Sequence, residues 1–106
     1  MVDEHRFRCG DVVHHGPSGE DWVVAYADYE SGKLAWAGWP EGVAEISDCT
    51  LVRKATDEKH ASAVADWARG WRDGDHRWRA IARLYPDAWA AVSAPPAAPE
   101  TGGTKP

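Results

Sequence analysis

The chain has only two cysteines, Cys9 and Cys49, in 106 residues. Two thiols are too few to frame a disulfide scaffold, and both are expected to be reduced. No apolar run is long enough to span a membrane. The start, Met1-Val2-Asp3-Glu4-His5-Arg6, lacks the basic-then-apolar pattern of a secretory signal. Positive charge is also short, with a formal net charge of -5, so the chain as a whole is a poor electrostatic match for nucleic acid. No Gly-x-Gly-x-x-Gly or P-loop cradle for phosphate occurs. These absences point to a single cytoplasmic domain without membrane contact, with no enzyme signature and no implied cofactor.

Tryptophan, by contrast, is abundant. The chain has seven, and each ring brings a large apolar area and an N–H that seeks a partner. A domain of this size cannot bury them all, so at least one or two should face a partner or seal a seam between substructures.

The organising stretch is Asp21-Trp22-Val23-Val24-Ala25-Tyr26-Ala27, bracketed by Gly16-Pro17-Ser18-Gly19 and by Glu30-Ser31-Gly32. It is apolar, β-branched and aromatic, and turn residues lie at both ends, which predicts the central strand of an antiparallel sheet. Strict alternation puts Trp22, Val24 and Tyr26 on one face and Val23, Ala25 and Ala27 on the other. Neither face is polar, so both must be covered. Val12 to His15 precedes it as a first strand. Leu34 to Trp39, Val43 to Ile46 and Thr50 to Arg53 follow as the third, fourth and fifth. Five short strands joined by tight turns predict a small SH3-like barrel or strongly bent sheet over residues 7–54, within an α+β domain spanning 1–92.

Thr56, followed by Asp57 and Glu58, starts a helix carrying Ala61, Val64, Ala65, Trp67, Ala68 and Trp71. Gly74 stops it, and Asp75 caps a second helix with the stripe Trp78, Ile81, Ala82 and Tyr85, ended by Pro86. The expected result is a helical hairpin over 56–86 with Trp67, Trp71 and Trp78 near its inner surface. Residues 93–106, rich in Pro, Ala and Gly, have little to bury and are expected to be disordered.

Several chemistries can be weighed on the residues themselves. His14 and His15 are adjacent on a strand and point to opposite faces, so they cannot easily share a site. No close Cys/His spacing joins them to Cys9, Cys49 or His5 in a metal centre. The two cysteines are expected to be small buried hydrophobes that meet beside the sheet. Trp22, Tyr26, Tyr29 and Trp39 are candidates for a shallow aromatic groove that takes a peptide or stacked bases, although a core made of the same rings explains them as simply. Arg72, Arg77, Arg79 and Arg83 cluster in the second half after a mostly acidic first half. They are candidates for nucleic-acid contact, or they complement the acidic sheet within the molecule.

The runs Gly10-Asp11-Val12-Val13-His14, Pro17-Ser18-Gly19-Glu20-Asp21-Trp22-Val23-Val24-Ala25, Gly38-Trp39-Pro40 and Asp48-Cys49-Thr50-Leu51-Val52 resemble small uncharacterised proteins of bacteriophage and prophage genomes. More loosely, they are similar to the opening of KOW and SH3-like barrels. The resemblance covers about half the chain and implies a phage or mobile-element accessory protein without implying an activity. The expectation is a non-enzymatic binding module whose partner is a protein. The alternatives are nucleic-acid binding through the arginine-rich helix, or an acidic mimic of nucleic acid that inhibits a host defence protein. Oligomeric state is left open.

Overall fold

The computed structural model describes residues 6–70 and 75–93. The strands are β1 (Val12–His15), β2 (Glu20–Asp28), β3 (Lys33–Trp36), β4 (Val43–Glu45) and β5 (Cys49–Arg53), with a 3₁₀ turn, Ile46–Asp48, between β4 and β5. The helices are α1 (Asp57–Gly70), α2 (His76–Leu84) and α3 (Pro86–Ser93). The strands form one antiparallel sheet in the order β4-β3-β2-β1-β5, so the apolar stretch at Asp21–Ala27 is its middle strand. Gly19 and Gly32 take the positive φ that the two flanking turns require.

The expected strict alternation along β2 fails at one point. The register with β3 shifts between Val24 and Tyr26, the signature of a bulge. Before it, Trp22 and Val24 share a face. After it, the phase is reversed: Ala27 joins Val24, while Ala25 and Tyr26 both face the other way. Two separate cores result. One gathers Phe7, Val13, Val24, Ala27, Leu34 and Cys49, with Trp22, Tyr29 and Ile46 packed against it. The other gathers Cys9, Ala25, Tyr26 and Ala35 with Val64, Trp67, Ala80 and Ile81 of the helices. Cys9 and Cys49 are therefore both buried, but in different cores, and do not meet as expected.

The helical region contains three helices rather than a hairpin. Thr56 caps α1, its Oγ1 accepting from Lys59 N at 3.1 Å, and Asp75 caps α2 by accepting from Arg77 N at 2.8 Å. Pro86 ends α2 but opens α3, a first-turn position where the missing N–H is no loss. α3 then packs chiefly on α1, and Trp89 meets Trp78 edge to face at 4.9 Å. Within α1, Val64, Ala65 and Trp67 are buried, whereas Ala61 is exposed. Trp71, Gly74 and the segment 94–106 lie outside the described residues, as do the readings made of them. No helix among the described residues is long and apolar enough to cross a membrane.

A buried carboxylate ties the sheet to α1. Asp11 is fully enclosed and accepts from Arg8 N at 3.1 Å and Ala55 N at 2.8 Å, with Lys54 Nζ at 3.1 Å. Beside it Gly10, at φ +98°, lets the backbone come so close to α1 that a Cβ would lie 3.4 Å from those of Ala55 and Ala63. On the same seam His60 Nδ1 donates to Cys9 O at 2.9 Å, and its ring meets Tyr85 edge to face. Burial holds the His60 pKa below its ordinary 6.5. The Cys9 carbonyl works against that shift, Arg8 adds to it, and Asp11 and Asp57 oppose it.

The sign of the linkage follows. His60 is kept neutral in the fold, so its contribution is full above about pH 6.5, falls as the unfolded chain takes up the proton, and is gone below the folded-state pKa. Thermal melts at pH 7.5 and 5.5 should show a larger loss of Tm for the wild-type protein than for His60→Gln. The other histidines are common to both proteins and cancel in the comparison. Equal losses would assign the pH dependence elsewhere.

Candidate functional site

The aromatic residues singled out in the sequence do not form one groove. Tyr26 is buried between the sheet and α2, where its hydroxyl shares a 3.4 Å hydrogen bond with His76 Nδ1. Tyr29 lies in a second groove with Arg6, Phe7, Arg8, Lys54 and Tyr85, and its hydroxyl accepts from Phe7 N at 2.6 Å. The charges around that groove are matched internally, with Arg8 on Asp57 at 2.9 Å and Arg83 on Asp28 at 3.1 Å. Trp22 and Trp39 do come together, in a groove of about 580 Å³ also lined by Trp36, Val23, Pro40 and the acids Glu20 and Asp21.

Trp36 is the residue that sequence reading missed here. Rings from three neighbouring strands stack in sequence across one sheet face: His15 on Trp22 at 4.2 Å, then Trp22 against Trp36 at 4.3 Å. The loop after β3 folds back over the Trp36 indole. Its Nε1 donates to Pro40 O at 2.7 Å, and a Cβ on Gly42 would fall 2.7 Å from the ring. Only glycine allows so close an approach. The Trp39–Pro40 peptide bond in this loop is cis, and the Trp39 side chain stands outward, 81% exposed. An indole so exposed contributes little to folding and offers a large apolar face to a partner.

Arg77 holds this loop in place. It has no exposure, and its Nη1 donates to Trp36 O at 3.0 Å and Gly38 O at 2.7 Å. Its Nε and Nη2 bond the Asp75 carboxylate, and the guanidinium lies 5.0 Å from the centre of the Trp67 ring. Burial alone would raise the Asp75 pKa, but the bonds and charge of Arg77 outweigh it and hold the carboxyl below its ordinary value. One residue earlier, His76 Nε2 lies 3.2 Å from Glu41 Oε1. The first turn of α2 thus grips both ends of the loop that carries Trp39.

The arginines accordingly divide. Arg77 is taken into the interior and cannot reach a phosphate. Arg83 is paired with Asp28, whose pKa is held down first of all by that hydrogen bond. Arg79 lies on the exposed side of α2, and Arg72 is outside the described residues.

Among the described residues, Glu41, Asp75 and His76 offer ligand atoms within 4.8 Å of one another, a grouping that sequence spacing did not reveal. Both Asp75 oxygens are already engaged by Arg77, and that fixed positive charge opposes a second cation at the same carboxylate. The grouping acts as a fastening for the loop.

The thiols are unsuited to nucleophilic chemistry. Burial, with Asp11 and Asp66 adding, pushes Cys9 up to about 12, and burial also raises Cys49. His60 engages the Cys9 carbonyl oxygen. Comparison with protein-family models, with curated proteins and with solved structures found no match to this chain.

The geometry separates two substitutions of large residues. Trp39→Ala should leave the unfolding free energy within about 0.5 kcal/mol, as for other exposed positions. Arg77→Ala removes one partner of a buried charge pair and strips two carbonyls of their donor, so it should cost about 3–5 kcal/mol. Urea denaturation of both variants checks the contrast. A large loss from Trp39→Ala would mean that its ring is structural.

Proposed function

We propose that the protein is a non-enzymatic binding module that takes an extended segment of a protein partner in the Trp22–Trp36–Trp39 groove. The observation that carries this reading is the outward Trp39 indole on a loop fastened by a buried arginine. An exposed apolar ring held in place at such electrostatic expense suits recognition better than packing. The floor is apolar and aromatic and the rim carries Glu20 and Asp21, so the fitting segment is apolar or proline-rich with a basic residue nearby. The same acids repel a polyanion, and the inward or paired positions of Arg77 and Arg83 weaken the case for nucleic acid.

The reading of the sheet as an SH3-like barrel belongs to the same proposal. It is supported by the strand order β4-β3-β2-β1-β5, the 3₁₀ turn leading into β5, and the core of Val13, Val24, Leu34 and Cys49 on one face of the sheet. A phage or prophage origin rests on the sequence resemblance alone.

Tryptophan fluorescence provides the test, with three probes at low and moderate salt: a lysine-containing proline-rich peptide, short DNA and short RNA. The peptide should give a saturable change in the wild-type protein that is lost in Trp39→Ala. The nucleic acids should give none. A saturable, salt-sensitive response to DNA or RNA, with none to the peptide, would overturn the assignment in favour of the arginine helix.

A further inference from the structure

The sheet has two outer edges, β4 and β5, and they are not alike. An unpaired edge offers its backbone N–H and C=O groups to any strand that can lie beside it, so edges are commonly guarded. β4 is guarded. It is three residues long, Pro40 and Gly42 precede it, and Glu41 and Glu45 put acids at both ends. Two copies of β4 laid side by side would set acid against acid in either direction.

β5 is longer, Cys49–Arg53, and contains neither proline nor glycine. Among the described elements only β1 packs substantially on it, and Leu51 and Val52 stand 40% and 53% exposed. The register with β1 shifts between Val12 and Val13, which pair with Arg53 and Leu51, so Val52 has no partner on β1. That bulge shortens the stretch that another strand can follow.

Charge gives this edge a direction. Asp48, just before β5, and Arg53, at its end, are both exposed. Neither side chain has a hydrogen bond or ion pair among the described residues. A parallel neighbour of the same sequence would set Asp48 beside Asp48 and Arg53 beside Arg53. Asp48 lies three residues before Leu51 and Arg53 two after it, so an antiparallel neighbour centred near Leu51 brings acid to arginine at both ends. Opposite charges across a strand pair stabilise it and like charges destabilise it. The edge is thus self-complementary in one orientation only, and that orientation has the two-fold symmetry that closes at two copies.

We propose that two copies of the protein pair antiparallel through β5, making one sheet continuous through both copies about a two-fold axis near Leu51. The Trp22–Trp36–Trp39 groove contains no residue of β5, so this interface stands apart from the reading of that groove. A contact of one short strand from each copy is small, so the dimer is a weak one that forms as concentration rises.

Sedimentation equilibrium and amide hydrogen exchange on the full chain, over about a hundredfold range of concentration, test the pairing. The wild-type mass should rise towards twice that of a single chain, with exchange slowing in β5 and not in β4. Asp48→Lys and Arg53→Glu each turn two attractive contacts into two repulsive ones and should weaken association about tenfold. Both side chains are exposed, so the variants should fold as the wild type does. An equimolar mixture of the two variants restores opposite charges at both ends and should associate as the wild type does, a recovery that misfolded variants could not give. A wild type that stays a single chain throughout, a mass that grows beyond two copies, or exchange slowed in β4 instead of β5 would each overturn the proposal. So would single variants that associate like the wild type, or a mixture that fails to recover.

Discussion

The enclosure of Arg77 is the constraint on which the exposed face of the molecule depends. A guanidinium without solvent is tolerable only when its charge is met by a carboxylate and its remaining donors find acceptors. Asp75 supplies the first, and the carbonyls of Trp36 and Gly38 supply the second. Because a buried, fully bonded arginine has few alternative arrangements, it fixes the start of α2 against the end of β3. The loop that follows β3 inherits that position, and with it the direction in which Trp39 points. The outward direction of the Trp39 ring is therefore set by a residue that is itself fully enclosed.

A second fastening holds another helix. Asp11 draws in the backbone at Arg8 and Ala55, and Gly10 permits the close approach that brings α1 onto the sheet. The two fastenings are alike in design, each a buried charge met by one opposite charge and by backbone groups. They hold different helices, with Asp11 at the entrance to α1 and Arg77 at the entrance to α2. Between them the helix-facing core joins Cys9, Ala25, Tyr26 and Ala35 to Val64, Trp67, Ala80 and Ile81 of the helices.

Much of the framework was legible because it rests on local signals. The five strands, the glycine turns at Gly19 and Gly32, and the caps at Thr56 and Asp75 each follow from residue types whose preference acts over a few positions. The two faces of β2 were not legible, because a bulge is set by pairing with β3 and leaves no mark in the alternation of Trp22 to Ala27. Pro86 does stop α2, but the third helix was not legible, since the same ring that ends one helix can open the next. Of the four aromatics singled out, Trp22 and Trp39 line one groove, whereas Tyr26 and Tyr29 lie elsewhere. Trp36 was overlooked as lining because its role depends on Gly42 and Pro40 closing over it, contacts made by the loop as a whole. Arg77 was read by its charge as a surface residue. The one available hint was its place two residues after the helix cap Asp75, where a side chain can turn back onto the capping carboxylate.

The phase reversal in β2 also bears on how this sequence can change over generations. Trp22 and Val24 answer to β1 and β3 on one face, whereas Ala25 and Tyr26 answer to the helices. Substitutions in the first pair should therefore drift together with residues such as Val13 and Leu34, and those in the second with Val64, Trp67 and Ile81. A single strand thus answers to two separate sets of constraints, divided at the bulge where its sides exchange.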